Sequence, residues 1–391
     1  LSHLSIMSVA AWLPWSLAFG RRVMACPPRA RRAPWGAALG LAATVALQLV
    51  AGHPQMALLG LIVVLAQAVW QGWVDRRDAG VARRAALWCG ALLVGLAVSA
   101  PQWLAGAQLT ALSQRAGGVE GAFFTSYSFH PLLLATYVSP FVLGNPYPEG
   151  SVEFMPYVGL LPLALAGVML WRRRAGRGFF LALGVAGVVL AFGRWNPLYD
   201  ALRHVPVLNL FRVPARYLYW TSLALALLSG MGLDALLARQ APGARTGVTG
   251  AAAGGLLAVG FGVWVATLGR DADGLVRLWR LLPLVLGAGA VATLLMARRM
   301  ARAPWLVLAF AVLLVDLYAY GAVLDSTYSA TTPRAEAEAA PASLAFLAQD
   351  EGLYRIYTKE EITPALSVMR ESYSHELISH GFWFGGDWPS G

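Results

Sequence analysis

Ten apolar stretches of 15 to 24 residues dominate this chain, and each ends at an arginine cluster or at a break rich in Pro, Gly or Asn. An α-helix needs about 20 such residues to cross a bilayer. The clearest stretches are 35–51, 54–73, 85–107, 154–171, 217–237, 248–269 and 304–324. So many long apolar segments predict an all-α integral membrane protein with about ten transmembrane helices.

Composition indicates the same class of protein. Hydrophobic residues make up 58% of the chain and charged residues 13%, against roughly 25% charged residues in a soluble domain. The net charge of +10 comes from arginine, since Lys359 is the one lysine. Arginine collects in the cytoplasmic loops of membrane proteins, so the charge predicts contact with the lipid bilayer rather than with nucleic acid. The two cysteines, Cys26 and Cys89, lie beside basic loops, and we expect no structural disulfide.

The arginines alternate along the chain in a way that predicts its orientation. Five segments on one side of the membrane hold eighteen arginines, against eight in the loops on the other side. The five segments are 20–35, 72–84, 172–178, 238–247 and 298–303. The loops are 108–153, 194–216 and 270–280. The side richer in arginine is the cytoplasmic one, so these loops and the tail after residue 324 are predicted to lie outside.

Two segments leave alternatives in this predicted membrane topology. The stretch 130–144 is a possible crossing, but Pro131 and Pro140 disfavour a helix there, and fifteen helical residues would span only about 22 Å. We interpret it as a re-entrant segment. The stretch 179–193 has no polar side chain and is predicted to cross. Treating it as non-spanning would place 20 arginines on the cytoplasmic side and 6 outside. By count alone, this agrees slightly better with the rule that arginine collects in cytoplasmic loops than 18 and 8 do.

The composition changes after residue 324, and this change predicts the domain boundaries. Residues 1–324 form the predicted transmembrane domain, and 325–342, rich in Thr, Pro, Glu and Ala, form a linker. The stretch 343–391 mixes helical and alternating patterns, which predicts the start of an extracytoplasmic α/β domain. Because Leu1 is followed almost at once by an apolar stretch, we expect a fragment that lacks its N-terminus, with the C-terminal domain truncated.

Motifs for common catalytic chemistries are absent from the sequence. The chain has no Walker loop, HExxH, CxxC or GxSxG, which leaves nucleotide hydrolysis, zinc proteolysis and serine hydrolysis without support. What remains is a set of polar residues confined to the predicted outer side. The candidate site residues among them are His53, Gln55, Arg115, Glu153, Tyr157, Asp200, Arg212 and Arg216.

Arg212 and Arg216 lie four residues apart, across Pro214, at the start of a predicted helix. Positive charge is disfavoured on the outer side, which suggests that the two arginines serve a purpose there. Arginine offers a planar fork for phosphate oxygens, and a helix start adds backbone N–H groups. The alternative is anchoring to lipid headgroups or pairing with Asp200 and Glu153.

Three further ionisable groups have competing explanations. Glu153, with Glu149 before it, precedes a predicted helix and is a candidate general base or metal ligand, although acids also favour helix N-termini without catalytic roles. For His53, a hydrogen bond that stabilises the hairpin turn is the alternative to a functional role. Asp316 falls in the middle of a predicted helix, where an acid costs about 2.5 to 3.5 kcal/mol. It should therefore face the bundle and have a hydrogen-bonding partner.

Several phrases from these same segments resemble the YfhO family of bacterial multipass membrane proteins. They are QLVAGHPQMAL at 48–58, APQWLAGAQLTALSQR at 100–115, FHPLLLATYVSPFVLGN at 129–145, EFMPYVGLLPLAL at 153–165 and FGRWNPLYDALRHVPVLNLFRVPARYLYW at 192–220. Their order and spacing cover most of residues 40–240.

The resemblance implies a lipid-dependent glycosyltransferase of the GT-C architecture in the bacterial cytoplasmic membrane. It implies a polyprenyl-phosphate-linked sugar as donor and a cell-envelope glycan or glycolipid as acceptor, with a divalent metal left open as cofactor. The usual catalytic carboxylate of such enzymes follows the first transmembrane helix, upstream of this chain, and Glu153 is the candidate within it. Two other functions share these features: a transporter or flippase for lipid-linked sugars, and a non-catalytic envelope-assembly protein.

Overall fold

The computed structural model describes residues 4–27, 33–113, 115–119, 121–140, 152–171, 176–238, 274–297 and 299–328. Within these ranges all regular structure is helical, and no strand occurs. The α-helices are α1 (Leu4–Met24), α2 (Trp35–Val50), α3 (Pro54–Val74), α4 (Val81–Val98), α5 (Ala100–Ala111), α6 (Gly121–Phe124), α7 (Leu160–Trp171), α8 (Arg177–Ala191), α9 (Leu218–Leu237), α10 (Gly274–Met296) and α11 (Arg302–Tyr328).

Four described helical segments are long and apolar enough to cross a membrane. They are Pro54–Val74, Val81–Val98, Pro214–Leu237 and Arg302–Gly321. Shorter apolar helices occur at Trp35–Val50, Leu160–Leu170, Arg177–Ala191 and Val285–Met296. The all-α class is therefore confirmed for the described chain. The predicted crossing at 248–269 lies outside the described residues, as do the predicted C-terminal domain and most of the linker.

The helices bury their apolar side chains in two clusters. The larger cluster joins α1, α2, α3, α4, α8 and α9 and includes Ala166 and Met169 of α7, and the smaller one joins the rest of α7 with α10, α11 and the end of α9. Helix α9 packs against both α7 and α8. Its approach to α8 depends on Gly187, because a Cβ there would lie 2.8 Å from the Tyr217 carbonyl oxygen. Such small residues at helix contacts are typical of membrane bundles.

The two ends of α3 define two ends of the bundle. At its start, Gln55 donates a hydrogen bond to the carbonyl of Arg212. Past its end, the buried Arg84 bonds to Asp78 at 2.8 Å and to the Cys26 carbonyl at 3.1 Å. We call these the site end and the Arg84 end. A helix of 21 residues separates them by about 31 Å. The loops 72–84 and 194–216 therefore lie at opposite ends of α3, as the arginine pattern predicted.

The predicted stretch 85–107 is not one continuous helix. Helix α4 ends at Val98, and α5 begins at Ala100 with Pro101 in its first turn. Pro101 supplies no N–H and so favours a new helix start at this point. The Ser99 hydroxyl donates to the Gly95 carbonyl at 2.9 Å. Helix α5 contains no buried residue, so the break turns it away from the core.

The predicted stretch 154–171 is α-helical only from Leu160. Residues 155–159 are not helical, because Pro156 lacks an N–H and Gly159 adopts a φ of +93°. Irregular backbone at membrane depth is tolerated only where protein covers it. Tyr157, Pro156 and Gly159 are indeed buried.

Two other predicted boundaries can be compared with the structure. In the re-entrant segment 130–144, the described part contains a seven-residue 3-10 helix, Pro131–Tyr137, whose length of about 14 Å is too short to cross a bilayer. At the other boundary, α11 continues to Tyr328. The first four residues of the predicted linker 325–342 are therefore helical rather than irregular.

Candidate functional site

Side chains from three distant parts of the sequence meet at the site end. Gln55 lies in the first turn of α3, Glu153 in the 3-10 helix Val152–Phe154, and Arg216 in the 3-10 helix Pro214–Tyr217 that leads into α9. The sequence predicted all three as site residues, and the structure brings them into direct contact. The segments that carry these three residues are thus neighbours in space.

Arg216 is the centre of this cluster. Its Nε and Nη2 both donate to Oε1 of Glu153, at 2.8 and 2.7 Å, and its Nη1 donates to Oε1 of Gln55 at 2.5 Å. The side chains of Arg216 and Glu153 are only 19% and 10% exposed. This pairing with Glu153 is the alternative to phosphate binding that the sequence left open, so phosphate binding by Arg216 remains a prediction.

Gln55 connects the two arginines of the FRVPAR phrase. While its Oε1 accepts from Arg216, its Nε2 donates to the Arg212 carbonyl oxygen at 2.6 Å. Gln55 is 7% exposed, so both ends of its amide are satisfied inside protein. The amide therefore fixes the backbone between Arg212 and Arg216 against the start of α3.

The Arg212 side chain points to a different environment from that of Arg216. Its guanidinium lies 4.6 Å from the ring centre of Phe123 and 5.7 Å from that of Tyr127. Arg115 approaches the same Phe123 ring at 5.8 Å, and its Nη1 donates to the Leu210 carbonyl at 3.3 Å. Two guanidinium groups thus gather around one aromatic ring. Cation–π contact of this kind orients arginine while leaving its N–H donors available to an anion.

The backbone around Arg212 is strained. Among the described residues, the non-glycine positions with positive φ are Tyr127 (58°), Val207 (72°) and Val213 (70°). All three lie at the site end, and Val213 directly follows Arg212. β-Branched residues with positive φ are genuine outliers, and such strain clusters at functional sites. The Ala215 N–H donates to the Tyr127 carbonyl at 3.2 Å, which ties two of the strained segments together.

His53 has the structural role that the sequence analysis gave as its alternative. It is the N-cap residue of α3, and its Nδ1 accepts a hydrogen bond from the Met56 N–H at 3.2 Å. Such a cap satisfies one of the four unpaired N–H groups at a helix start. A contribution of His53 to substrate binding stays a prediction.

Asp200 and Tyr157 make contacts away from the Arg216 cluster. Asp200 pairs with Arg203 of its own 3-10 helix at 3.4 Å, in an exposed ion pair. Tyr157 is 8% exposed and donates through its hydroxyl to Oδ1 of Asp316 at 2.5 Å. Asp316 itself is 1% exposed, so it faces the bundle and has a partner, as expected.

Sequence reasoning missed Phe123, the ring that both Arg212 and Arg115 approach. The sequence gives no reason to single out Phe123, since one phenylalanine carries no signal by itself. His130 belongs to the same end: its Nδ1 accepts from the Leu132 N–H at 3.2 Å, and its ring meets Trp195 edge-on at 4.5 Å. Burial lowers the pKa of His130 below its ordinary value, which favours the neutral ring at neutral pH.

The described residues do not suggest a metal centre. Within the described ranges, no group of three or more His, Cys, Asp or Glu side chains is placed to hold an ion. Glu153, the acid at the centre of the site, is bonded to a guanidinium. A single carboxylate that faces an arginine does not fit a divalent cation, which takes several oxygen ligands. Glu149, Asn145 and Tyr147 lie outside the described residues.

The site end carries both anion-binding groups and a group that can accept a proton. Arg212 and Arg115 present guanidinium groups, and Glu153 presents a carboxylate held by Arg216. No family model, no curated protein and no solved structure matches this chain. The geometry of these residues therefore carries the functional argument, and the resemblance to the YfhO family stays a prediction.

Proposed function

We propose that the chain is a membrane glycosyltransferase that moves a sugar from a polyprenyl-phosphate-linked donor to a cell-envelope glycan or glycolipid. The proposal includes ten crossings, an extracytoplasmic C-terminal domain and a place in the bacterial cytoplasmic membrane. The observation that carries it is that a guanidinium pair on the Phe123 ring, Arg212 and Arg115, and the carboxylate of Glu153 lie at the same end of the bundle. A phosphate leaving group and an attacking hydroxyl need these two kinds of group.

In the proposed reaction, the acceptor hydroxyl oxygen attacks the anomeric carbon of the donor sugar. The bond between that carbon and the phosphate oxygen breaks, and its electron pair leaves with the polyprenyl phosphate. Glu153 takes the hydroxyl proton as general base. Arg212 and Arg115 stabilise the negative charge on the departing phosphate. Arg216 then acts as a positioning residue, since its donors hold Glu153 and Gln55.

A transfer assay in proteoliposomes tests this proposal. The purified chain is incubated with a panel of polyprenyl-phosphate sugars and an envelope-lipid acceptor, and glycosylated product and released polyprenyl phosphate are measured. We expect Glu153→Gln and Arg212→Lys each to lower transfer by about a hundredfold, because a base and a phosphate contact are lost. Arg212→Lys should accumulate in the membrane as the wild type does, and transfer by Glu153→Gln is normalised to the amount of folded protein, since this variant loses a buried ion pair.

Arg76→Lys is the matched control. Arg76 also lies over an aromatic ring, Trp73, at 4.8 Å, but at the Arg84 end of the bundle. Its lysine variant should transfer at the wild-type rate. Wild-type activity in Arg212→Lys would contradict bidentate phosphate binding by this arginine, and absence of transfer by the wild type with every donor would contradict glycosyl transfer.

A second candidate function is transport of the lipid-linked sugar. The observation that favours it is the start of α7 at Leu160, inside the bundle, after a non-helical segment. Helices interrupted at membrane depth are typical of transporters. The same proteoliposomes decide between the two functions: a transporter would move donor between leaflets without forming product, and a non-catalytic assembly protein would do neither.

A further inference from the structure

Helix α7 receives its N-terminal cap from another helix. The Leu160 N–H donates to Oδ2 of Asp316, in α11, at 2.8 Å. Oδ1 of the same carboxylate accepts from the Tyr157 hydroxyl at 2.5 Å. Both oxygens of one buried side chain therefore hold the chain immediately before and at the start of α7.

The position of this cap explains why it is needed. Asp316 lies fourteen residues into α11, a helix of 27 residues, about 21 Å from the start of that helix, so α7 begins beside the middle of α11. The first N–H groups of a helix have no intrahelical partner, and no water compensates for them in the apolar layer. A Cβ at Gly159 would lie 3.3 Å from Oδ2 of Asp316, so the turn fits closely around the carboxylate.

The same interaction limits where Glu153 can lie. Phe154 and the non-helical residues 155–159 join Glu153 to Leu160, and six residues reach at most about 22 Å. One end of this segment is fixed by Arg216 through Glu153, and the other by Asp316 through Tyr157 and Leu160. Releasing the inner end would let the segment shift along the bundle axis, and Glu153 would shift with it.

We propose that Asp316 is a positioning residue, which holds the segment 155–159 so that Glu153 stays on Arg216 with its carboxylate at the site end. This inference rests on the proposed function, in that it assigns Glu153 the role of base. Asp316 touches no reacting atom. It acts through Tyr157, Leu160 and the segment between them and Glu153.

The test combines a structural and a kinetic measurement. Met155, which is partly exposed, is changed to Cys in a background without the two native cysteines, and the rate of maleimide labelling reports on the segment. Asp316→Leu removes both hydrogen bonds, Asp316→Asn keeps one oxygen acceptor, and Tyr157→Phe removes one donor. We expect labelling about tenfold faster in Asp316→Leu, with smaller increases in Asp316→Asn and Tyr157→Phe.

In the transfer assay, the three variants should lower kcat in the same order and leave the donor KM unchanged, because Arg212 and Arg115 hold the donor. The control is Thr293→Val, which removes another polar group that is 1% exposed, bonded within α10. It should change neither labelling nor kcat. If Asp316→Leu does not accumulate, Asp316→Asn and Tyr157→Phe decide by the same two measurements.

Two outcomes would overturn the inference. One is a labelling rate in the variants equal to that of the parent, which would show that Asp316 does not hold the segment. The other is faster labelling without a loss of kcat, whether or not the donor KM rises. That result would show that movement of the segment does not displace the base. If the wild type transfers no sugar, the proposed function fails by that result alone, and the labelling rates still decide whether Asp316 positions the segment that carries Glu153.

Discussion

At the scale of single residues, two ion pairs at the site end differ in their surroundings. Arg216 and Glu153 are largely buried, whereas Asp200 is 58% exposed beside Arg203. Removing one partner of a buried pair leaves a charge without compensation and costs about 3 kcal/mol or more. An exposed pair contributes about 0.5 kcal/mol. Both pairs join an arginine to a carboxylate, so a comparison of the two shows the effect of burial on the contribution of an ion pair to stability.

We expect Glu153→Gln to lower the free energy of unfolding by about 3 kcal/mol, at the low end for buried pairs because some exposure remains. Asp200→Asn should change it by less than about 0.5 kcal/mol. Denaturant titration in detergent micelles measures both. Equal losses in the two variants would show that the Arg216 pair is no better protected from solvent than the Arg203 pair.

Val207 allows the backbone strain to be measured. Its φ is 72°, and its side chain is 51% exposed, so little packing is lost on truncation. Val207→Gly should raise the free energy of unfolding by about 1 kcal/mol, because glycine adopts positive φ without strain. Val205, with a φ of −89°, is the control. Val205→Gly should lower the free energy of unfolding by roughly 0.5–1 kcal/mol. A loss at both positions would contradict stored strain at Val207.

At the scale of helices, the contact between α7 and α9 depends on one glycine. A Cβ at Gly232 would collide with the Leu165 backbone carbonyl, whereas a Cβ at Gly230, two residues earlier in α9, meets nothing within 4 Å. At such a close contact no side chain can rotate aside to make room. The two backbones can separate only if a whole helix moves. Two glycines of one helix thus face different constraints.

Gly232→Ala should lower stability by about 1 to 3 kcal/mol through overpacking. Gly230→Ala should be neutral or stabilising by up to about 1 kcal/mol, since alanine has the higher helix propensity. Thermal unfolding of both variants in the same detergent compares them. Equal stability of Gly232→Ala and Gly230→Ala would mean that α7 and α9 are farther apart than described.

At the scale of the whole molecule, the site end and the Arg84 end should face opposite sides of the membrane. Single cysteines at Leu198, which is 77% exposed, and at Ala79 place a probe at each end. In intact cells and a cysteine-free background, an impermeant maleimide should label Leu198→Cys. It should label Ala79→Cys only after permeabilisation, because arginine-rich loops stay in the cytoplasm.

Labelling of both cysteines in intact cells would contradict this orientation. Labelling of Ala79→Cys alone would mean that the bundle is inverted, with the candidate site in the cytoplasm. If the bundle is inverted, the candidate site cannot reach an acceptor in the cell envelope, and that part of the proposed function is wrong. The contacts within the site would be unaffected.

Hydropathy by itself determined the all-helical class and the existence of most described helices, and with the arginine pattern it predicted the separation of 72–84 from 194–216. These are properties of the local sequence, since an apolar run of about 20 residues needs a bilayer or a bundle wherever it lies. The cost of an acid in such a run also predicted that Asp316 would be buried with a partner.

Only the tertiary structure decided which side chains meet. Arg216 and Gln55 are 161 positions apart, and Arg216 and Glu153 are 63 apart, and no periodic pattern relates them. Apolar helices are nearly interchangeable by hydropathy, so their lateral order depends on close contacts such as that at Gly232. The same holds for α7, whose late start depends on a carboxylate supplied by α11. The sequence thus determined which polar residues lie in the loops at the site end, and packing decided which of them bind one another.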